Sequence, residues 1–276
     1  MLGEYAVLDG GPCLVAALEH GVECVYTDSS LPRTIHVPND DRFVRASLDS
    51  LAISTGKWSF SDWNPLILDG KPGFGGSASA TVAALLAGTT LLGHQLSKSE
   101  LYRRAHTVHQ EVQGSGSGVD IAAAVFGGVL EFVDGKVSPK TSLPLVAVWS
   151  GESAQTGPRV EAYLRWRDRK VFVNEMTLLV RDFYEDPVAA MTEGGRILHH
   201  MAVQANIPYT TETLSEIQVL AQAHQGAAKP SGAGGGDCAV AVFATHEQLR
   251  EFQTTCTRRG LIVIPVNIAA GATEVT

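Results

Sequence analysis

The 276-residue sequence predicts an α+β fold, and three observations predict it. Short apolar runs broken by turn residues dominate the first part of the chain, an Ala- and Leu-rich stretch over residues 78–92 lacks any Pro, and the second half alternates long helical stretches with brief apolar runs. Strands first and mixed helices and strands later imply two α+β halves, with a boundary near residue 148, so that residues 1–148 and 149–276 form the expected domains.

Residues 4–8 and 13–18 are apolar runs split by Asp9-Gly10-Gly11-Pro12, and residues 22–26 follow, which is a strand-and-turn pattern. Residues 35–37 and 43–46 read as further short strands, while 59–68 has no regular period. Residues 78–92 read as a buried helix entered directly from glycines, and residues 97–113 as a second helix opened by the Ser97 and Glu100 capping pair. A short Ala-rich segment over 119–126 precedes Gly127-Gly128, a strand over 129–133 and an Asp134-Gly135 turn. Residues 143–149 form an apolar run that predicts a buried strand. Residues 157–205 are helical in texture with a break at Asp186-Pro187, and a helix over 214–224, a strand over 239–244, a helix over 247–259 and a strand over 261–266 complete the chain.

A chain that is 45% hydrophobic and 18% charged can bury a sizeable core and shows no disordered composition. Its formal net charge of −8 repels phosphate polymers, which argues against non-specific attraction to nucleic acid or anionic lipid and requires local cations wherever a phosphate binds. The four cysteines lack the paired spacing of a zinc site and read as reduced thiols. Acidic residues interrupt the first apolar stretch, so neither a signal peptide nor a membrane span is expected, and the reading is a cytoplasmic protein.

Three glycine-bearing segments carry the chemistry. In Lys71-Pro72-Gly73-Phe74-Gly75-Gly76-Ser77-Ala78-Ser79-Ala80 the glycines let backbone N–H groups approach a ligand, and the helix that follows adds unsatisfied donors. Such a start binds phosphate, and Ser77 can add a hydroxyl to phosphate or magnesium. No Lys follows the last glycine as in a Walker loop, and a plain turn before a core helix fits the same residues. In Lys229-Pro230-Ser231-Gly232-Ala233-Gly234-Gly235-Gly236-Asp237-Cys238 the glycines exclude regular structure and lead straight into an apolar strand, which favours close backbone approach to a ligand. In Gly114-Ser115-Gly116-Ser117-Gly118-Val119-Asp120, Asp120 opens a short helix and reads first as an N-cap, with a catalytic acid as the alternative.

The order and spacing of these segments resemble the three motifs of the GHMP kinases, and Gly3-Glu4-Tyr5-Ala6-Val7-Leu8 resembles that family's first motif. Within the family the sequence is most similar to phosphomevalonate kinases, with mevalonate kinases next. Gly-Gly-Gly-Asp-Cys at 234–238, where mevalonate kinases usually carry Gly for Asp237, Lys71 before the glycine loop, and Trp149-Ser150-Gly151 followed by Ala154-Gln155-Thr156 carry that preference. The resemblance implies an N-terminal half like ribosomal protein S5 domain 2, a ferredoxin-like C-terminal half, and an active site in the cleft between them. It implies a kinase that transfers the γ-phosphoryl group of ATP to phosphomevalonate in isoprenoid precursor synthesis, with Mg²⁺, as a monomer or homodimer and with no nucleic-acid or membrane partner. The alternatives are mevalonate kinase activity and a catalytically weak ligand-binding relative.

By the same resemblance, Asp120 and Lys71 are the catalytic residues, and Gly73, Phe74, Gly75, Gly76, Ser77, Ala78 and Ser79 hold the ATP phosphates. Ser77 and, more remotely, Glu111 are the magnesium ligands; the spacing of the family's second acid falls nearer His109. The acceptor would meet Glu4, Tyr5, Ser117, Ser150, Ser153, Thr156, Ser231, Gly232, Ala233 and Gly234. Lys71 and Lys229 supply the local positive charge, Lys229 reading equally well as a solvated side chain. The family's first motif usually carries a Lys a few residues before the Gly-Glu pair; here the chain begins Met1-Leu2-Gly3, so an upstream start or a shortened protein with an exposed sheet edge is expected. Gly76 and Ser79 stand where relatives commonly have Ser and Ala.

Overall fold

The computed structural model describes residues 1–38, 40–62, 70, 72–114 and 116–274. Its elements, in chain order, begin with a 3₁₀ turn at Ala6–Asp9, strands β1 (Cys13–Ala16), β2 (Val22–Pro32) and β3 (Thr34–His36), helix α1 (Arg42–Ser50) and strand β4 (Thr55–Asp62). Helices α2 (Gly76–Leu91), α3 (Lys98–Gln113) and α4 (Val119–Phe126) precede strands β5 (Val129–Val133), β6 (Lys136–Lys140) and β7 (Leu145–Trp149). Then come α5 (Thr156–Arg165), α6 (Arg169–Asp182), α7 (Pro187–Gln204), α8 (Glu212–Ala223), β8 (Ala227–Pro230), β9 (Cys238–Val242), α9 (His246–Arg258) and β10 (Ile262–Pro265).

Two compact units are assembled from interleaved segments: Met1–Val15, Pro65–Gly73 and Glu131–Asn267 in the first, Ala16–Asn64, Phe74–Leu130 and Ile268–Thr276 in the second. Residue 148, the expected boundary, lies in β7 of the first unit. A three-stranded sheet of order β1-β5-β6 includes the hairpin at Asp134-Gly135, where φ values of 46° and 76° give the left-handed turn that this dipeptide favours.

The first unit is built on an antiparallel sheet of order β10-β7-β9-β8. Strands β7, β8 and β9 are buried at every residue because each face has its own cover. Val146, Val148, Ala228, Ala239 and Ala241 pack with Leu214, Ile217 and Leu220 of α8 and Phe252 and Cys256 of α9. The alternating partners Ala227, Val240 and Val242 face a second cluster with Phe172 and Met176 of α6 and Ile197, Leu198 and Met201 of α7. Helix α7 starts where Asp186-Pro187 marks the break: Asp186 accepts from the Ala189 amide at 3.0 Å, and Pro187 takes the first turn.

In the second unit β4 pairs antiparallel with β2 and parallel with β3. Its alternate residues Trp58 and Phe60 are buried against Val44 and Leu48 of α1 and Ala84 of α2. Residues 43–46, read above as a strand, are therefore helical. Phe43, Val44, Ser47 and Leu48 form one buried face, and a four-residue window is too short to show that period. Residues 6–9, which overlap the apolar run 4–8, form a 3₁₀ turn rather than a strand. Helix α3 opens as its sequence requires, Ser97 accepting from the Glu100 amide at 3.2 Å. No helix among the described residues is long and apolar enough to cross a membrane, and all four cysteines are free thiols.

Trp58 is 1% exposed at the centre of its cluster. Trp58→Ala is expected to cost about 3–5 kcal/mol, measured by denaturant unfolding, which is a large share of the ~5–15 kcal/mol that holds a typical domain.

Candidate active site

Helix α2 begins on Gly75, which takes φ 69° and ψ 36° and offers no side-chain cap. The first helical hydrogen bond runs from the Ser79 amide to the Gly75 carbonyl at 3.0 Å, so the amides of Gly76, Ser77 and Ala78 have no acceptor among the described residues. Gly76 is helical and nothing lies within 4 Å of where its Cβ would stand. Three amide donors without acceptors at a helix N-terminus suit an anion. The Ser77 hydroxyl lies 3.1 Å from Nε2 of His109 on α3. Burial, with His106 nearby, pushes the His109 pKa down, and its ring stacks on Phe43 at 4.8 Å, so a neutral imidazole holds the hydroxyl.

Asp120 stands beside this start, since a Cβ on Gly75 would lie 3.2 Å from Asp120 Cβ and 3.4 Å from its Cγ. Asp120 is not a cap: Gly118, at φ 80°, occupies that position without a side chain, and Asp120 is the second helical residue. Asp120 is exposed at the surface, yet the protein atoms gathered around its carboxyl cost it hydration and push its pKa up. No described residue donates a hydrogen bond to it.

The first unit holds the other glycine loop. Asp237, at φ 54°, is its anchor: its Oδ1 accepts from the Ala154 amide at 2.9 Å, its own amide donates to Glu152 O at 2.7 Å, and its carbonyl accepts from the Ser150 amide at 2.9 Å. Burial pushes the Asp237 carboxyl pKa up, against the Ala154 amide and Arg159. Gly73 packs on this carboxylate, a Cβ there falling 2.6 Å from Asp237 Oδ2, and Gly70 packs on Ser153 and Trp149. Arg159 donates to the carbonyls of Gly235 at 3.1 Å, Gln155 at 2.7 Å and Pro208 at 3.2 Å. The Tyr5 hydroxyl donates to Ala233 O at 2.7 Å. A groove of about 930 Å³ lined by Arg159, Trp166, Arg167 and Asn206 meets this loop at Gly235.

The GHMP kinases N-terminal domain model matches residues 69–128, which include both the α2 start and Asp120. A phosphomevalonate kinase of Streptomyces sp. (strain CL190) is 30% identical, over 87% of this chain and 86% of that protein. The chain belongs to the GHMP kinase family. A mevalonate kinase of Thermococcus gammatolerans is 32% identical over 68% of the chain, and the chain spans about 60% of that relative's length. The fold is that of GHMP kinases: a Listeria innocua protein, Lin0012, superposes with a TM-score of 0.84 at 21% identity, covering 97% of this chain and 94% of that one. The Streptococcus pneumoniae phosphomevalonate kinase in complex with phosphomevalonate and AMPPNP superposes at 0.82 and 18% identity, covering 97% and 96%.

Against this GHMP kinase frame, the expected site residues divide. The structure brings Gly75, Gly76, Ser77 and Ala78 together with Asp120 in the second unit. Ser231, Gly232, Ala233 and Gly234 form one loop in the first, closed by the Ser231 amide on Cys238 O at 2.8 Å. Ser153 and Thr156 are exposed. Ser150 is buried and donates to Glu152 O at 3.0 Å, and Ser117 accepts from the Val119 amide, so both hydroxyls serve their own loops. Lys71 lies outside the described residues. Glu111 is exposed two residues beyond His109, about 200° further round α3, and is not brought to Ser77.

Lys229 fits neither of its expected roles: it is fully buried, paired with Glu4 and donating to Pro230 O at 3.1 Å. Burial pushes the Lys229 pKa down against the pull of Glu4. Burial would raise Glu4, yet the charges around it, Lys229 foremost, hold it below its ordinary value. Sequence reasoning missed Arg159; the signal was the run Arg159, Arg165, Arg167, Arg169 and Lys170 in an acidic chain.

Among the described residues no group of three His, Cys, Asp or Glu side chains is placed to hold a metal. The donor set therefore suits a magnesium ion carried on phosphates and met by Ser77 rather than a protein cage. The uncapped α2 start, whose first amides have no acceptor among the described residues, suits the phosphates themselves.

Two neighbouring glycines should respond oppositely to Ala. Gly75→Ala forces a side chain into a left-handed backbone against Asp120 and is expected to destabilise by about 1–2 kcal/mol in thermal unfolding. Gly76→Ala adds a methyl in open space on a helical backbone and is expected to be neutral or to stabilise by up to ~1 kcal/mol.

Proposed function

We propose that this GHMP kinase family member transfers the γ-phosphoryl group of ATP to phosphomevalonate in the mevalonate pathway. The observation that carries the reading is Asp237. It is the residue that sets the sequence apart from mevalonate kinases, and its carboxylate holds the Ala154 amide, so the marker at 234–238 and the marker at 154–156 are one structure. Gly70, next to the third marker Lys71, packs on Ser153 and Trp149 of the same group. Coverage supports the same choice. Phosphomevalonate kinases of Streptomyces and of Saccharolobus solfataricus, the latter 24% identical, align over 86% and 93% of their lengths, while mevalonate kinases of Thermococcus and Pyrococcus align over 55–60%.

Bound ATP supplies the phosphoryl group, and Mg²⁺ the charge that neutralises its oxygens. The chain's own part is alignment. The amides of Gly76, Ser77 and Ala78 receive phosphate oxygens, and the Ser77 hydroxyl, steadied by His109, is the donor for the metal. The backbone of Ser231–Gly234 with Ser153 and Thr156 receives the acceptor. A phosphate acceptor has a second pKa of about 6 and is largely ionised at neutral pH, so it needs no general base. Asp120 would then orient a bound cation instead of removing a proton.

Coupled ADP-release assays with phosphomevalonate and with mevalonate test the reading. Turnover on phosphomevalonate is expected; turnover on mevalonate alone overturns it, and ATP binding without turnover on either supports the weak ligand-binding alternative. Asp120→Asn is expected to lower turnover at least about tenfold with ATP affinity nearly intact. A carboxyl whose native pKa is raised destabilises the fold when ionised, so the same variant should match or exceed the wild-type Tm. In wild type the acid limb of kcat, as Asp120 gains its proton, should lie above the ~3.9 of a free Asp.

A further inference from the structure

Lysine is almost never fully buried unless paired, and Lys229 is 0% exposed in the core of the first unit. Its stem runs beneath α7, where Gly195 leaves room: a Cβ there would come within 3.5 Å of Lys229 Cβ, and neighbouring Gly194 makes the same allowance for Leu2. Its ammonium binds Glu4 and the Pro230 carbonyl. Two apolar side chains of similar volume would fill this space at no loss of stability, since desolvating two charges offsets most of their attraction. The pair therefore calls for a reason beyond cohesion.

The reason lies in its neighbours. Glu4 is followed by Tyr5, a non-glycine residue at φ 61°, and Tyr5 reaches Ala233 O with its hydroxyl. Lys229 is followed directly by Pro230 and the glycine loop. The segment Gly3-Glu4-Tyr5 thus grips residues 229–233 at two points more than two hundred residues away in sequence, 225 for the ion pair and 228 for the hydroxyl. An apolar pair would keep the space filled, but it lacks the directional donor-acceptor geometry that fixes where Pro230 and its successors begin.

We propose that Glu4 and Lys229 are positioning residues that set the backbone of the loop Ser231–Gly234 for the phosphoryl acceptor, and that neither side chain touches that acceptor. The proposal rests on the acceptor role given above to this loop, and it moves Glu4 from the acceptor's surroundings into the loop's foundation.

The test compares wild type with Glu4→Gln, Lys229→Met and the double variant E4L/K229M, using amide hydrogen exchange over residues 231–237, Tm, and KM for phosphomevalonate and for ATP. Both single variants should speed exchange over 231–237 at least tenfold while residues 78–91 keep wild-type protection, and should raise KM for phosphomevalonate at least tenfold with KM for ATP within twofold. The double variant should recover the wild-type Tm while keeping the fast exchange and the high acceptor KM. A double variant that recovers exchange and KM together with Tm reduces the pair to core filling and overturns the proposal, as do single variants with wild-type loop exchange. Exchange is read without turnover, so a wild-type protein inactive on phosphomevalonate overturns the acceptor assignment alone and leaves the positioning of the loop decided by exchange.

Discussion

A helix that starts on a left-handed glycine has three amide donors and nothing of its own to give them. That is the state of α2, where Gly75 carries the chain into the helix without a cap and the N–H groups of Gly76, Ser77 and Ala78 find no acceptor among the described residues. The neighbourhood is arranged around this deficit. Gly75 is bare where Asp120 approaches, Ser77 is held by a buried neutral His109, and Gly118 takes the cap position so that Asp120 enters α4 two residues later. In a protein of net charge −8, the backbone dipole at this helix start supplies the partial positive charge that suits an anion.

The first unit solves a different problem, which is to hold a loop that glycine entropy would otherwise leave undefined. Asp237 organises it by accepting from one residue of the 150–156 segment through its side chain and from another through its carbonyl, while its amide donates back. Arg159 holds Gly235, two residues before Asp237, through its carbonyl, and Tyr5 holds Ala233. Each restraint acts on backbone atoms, so the loop keeps its glycines and still has one shape.

Much of this was legible in the residues. The α2 start and the loop at 232–236 announced themselves as glycines set against apolar elements, and Asp186-Pro187, Ser97 with Glu100, and Asp134-Gly135 marked their helix starts and turn correctly. What escaped was set by tertiary contact. Helix α1 was hidden because its buried face shows only over nine residues, and strand β8 because Ala227-Ala228-Lys229-Pro230 has weak strand propensity and is made a strand by β9. Lys229 could not be seen as buried, since its partner Glu4 stands at the other end of the chain, and Asp120 looked like a cap until Gly118 proved to hold that place.

The central claim is that the group receiving the phosphoryl is itself a phosphate. The ³¹P spectrum of the product formed from ATP, Mg²⁺ and an equal mixture of mevalonate and phosphomevalonate tests it most directly. The account predicts new coupled resonances of a diphosphate ester, drawn from the phosphomevalonate signal. Growth of the phosphomonoester signal, with no coupled pair beyond those of ATP and ADP, would contradict it.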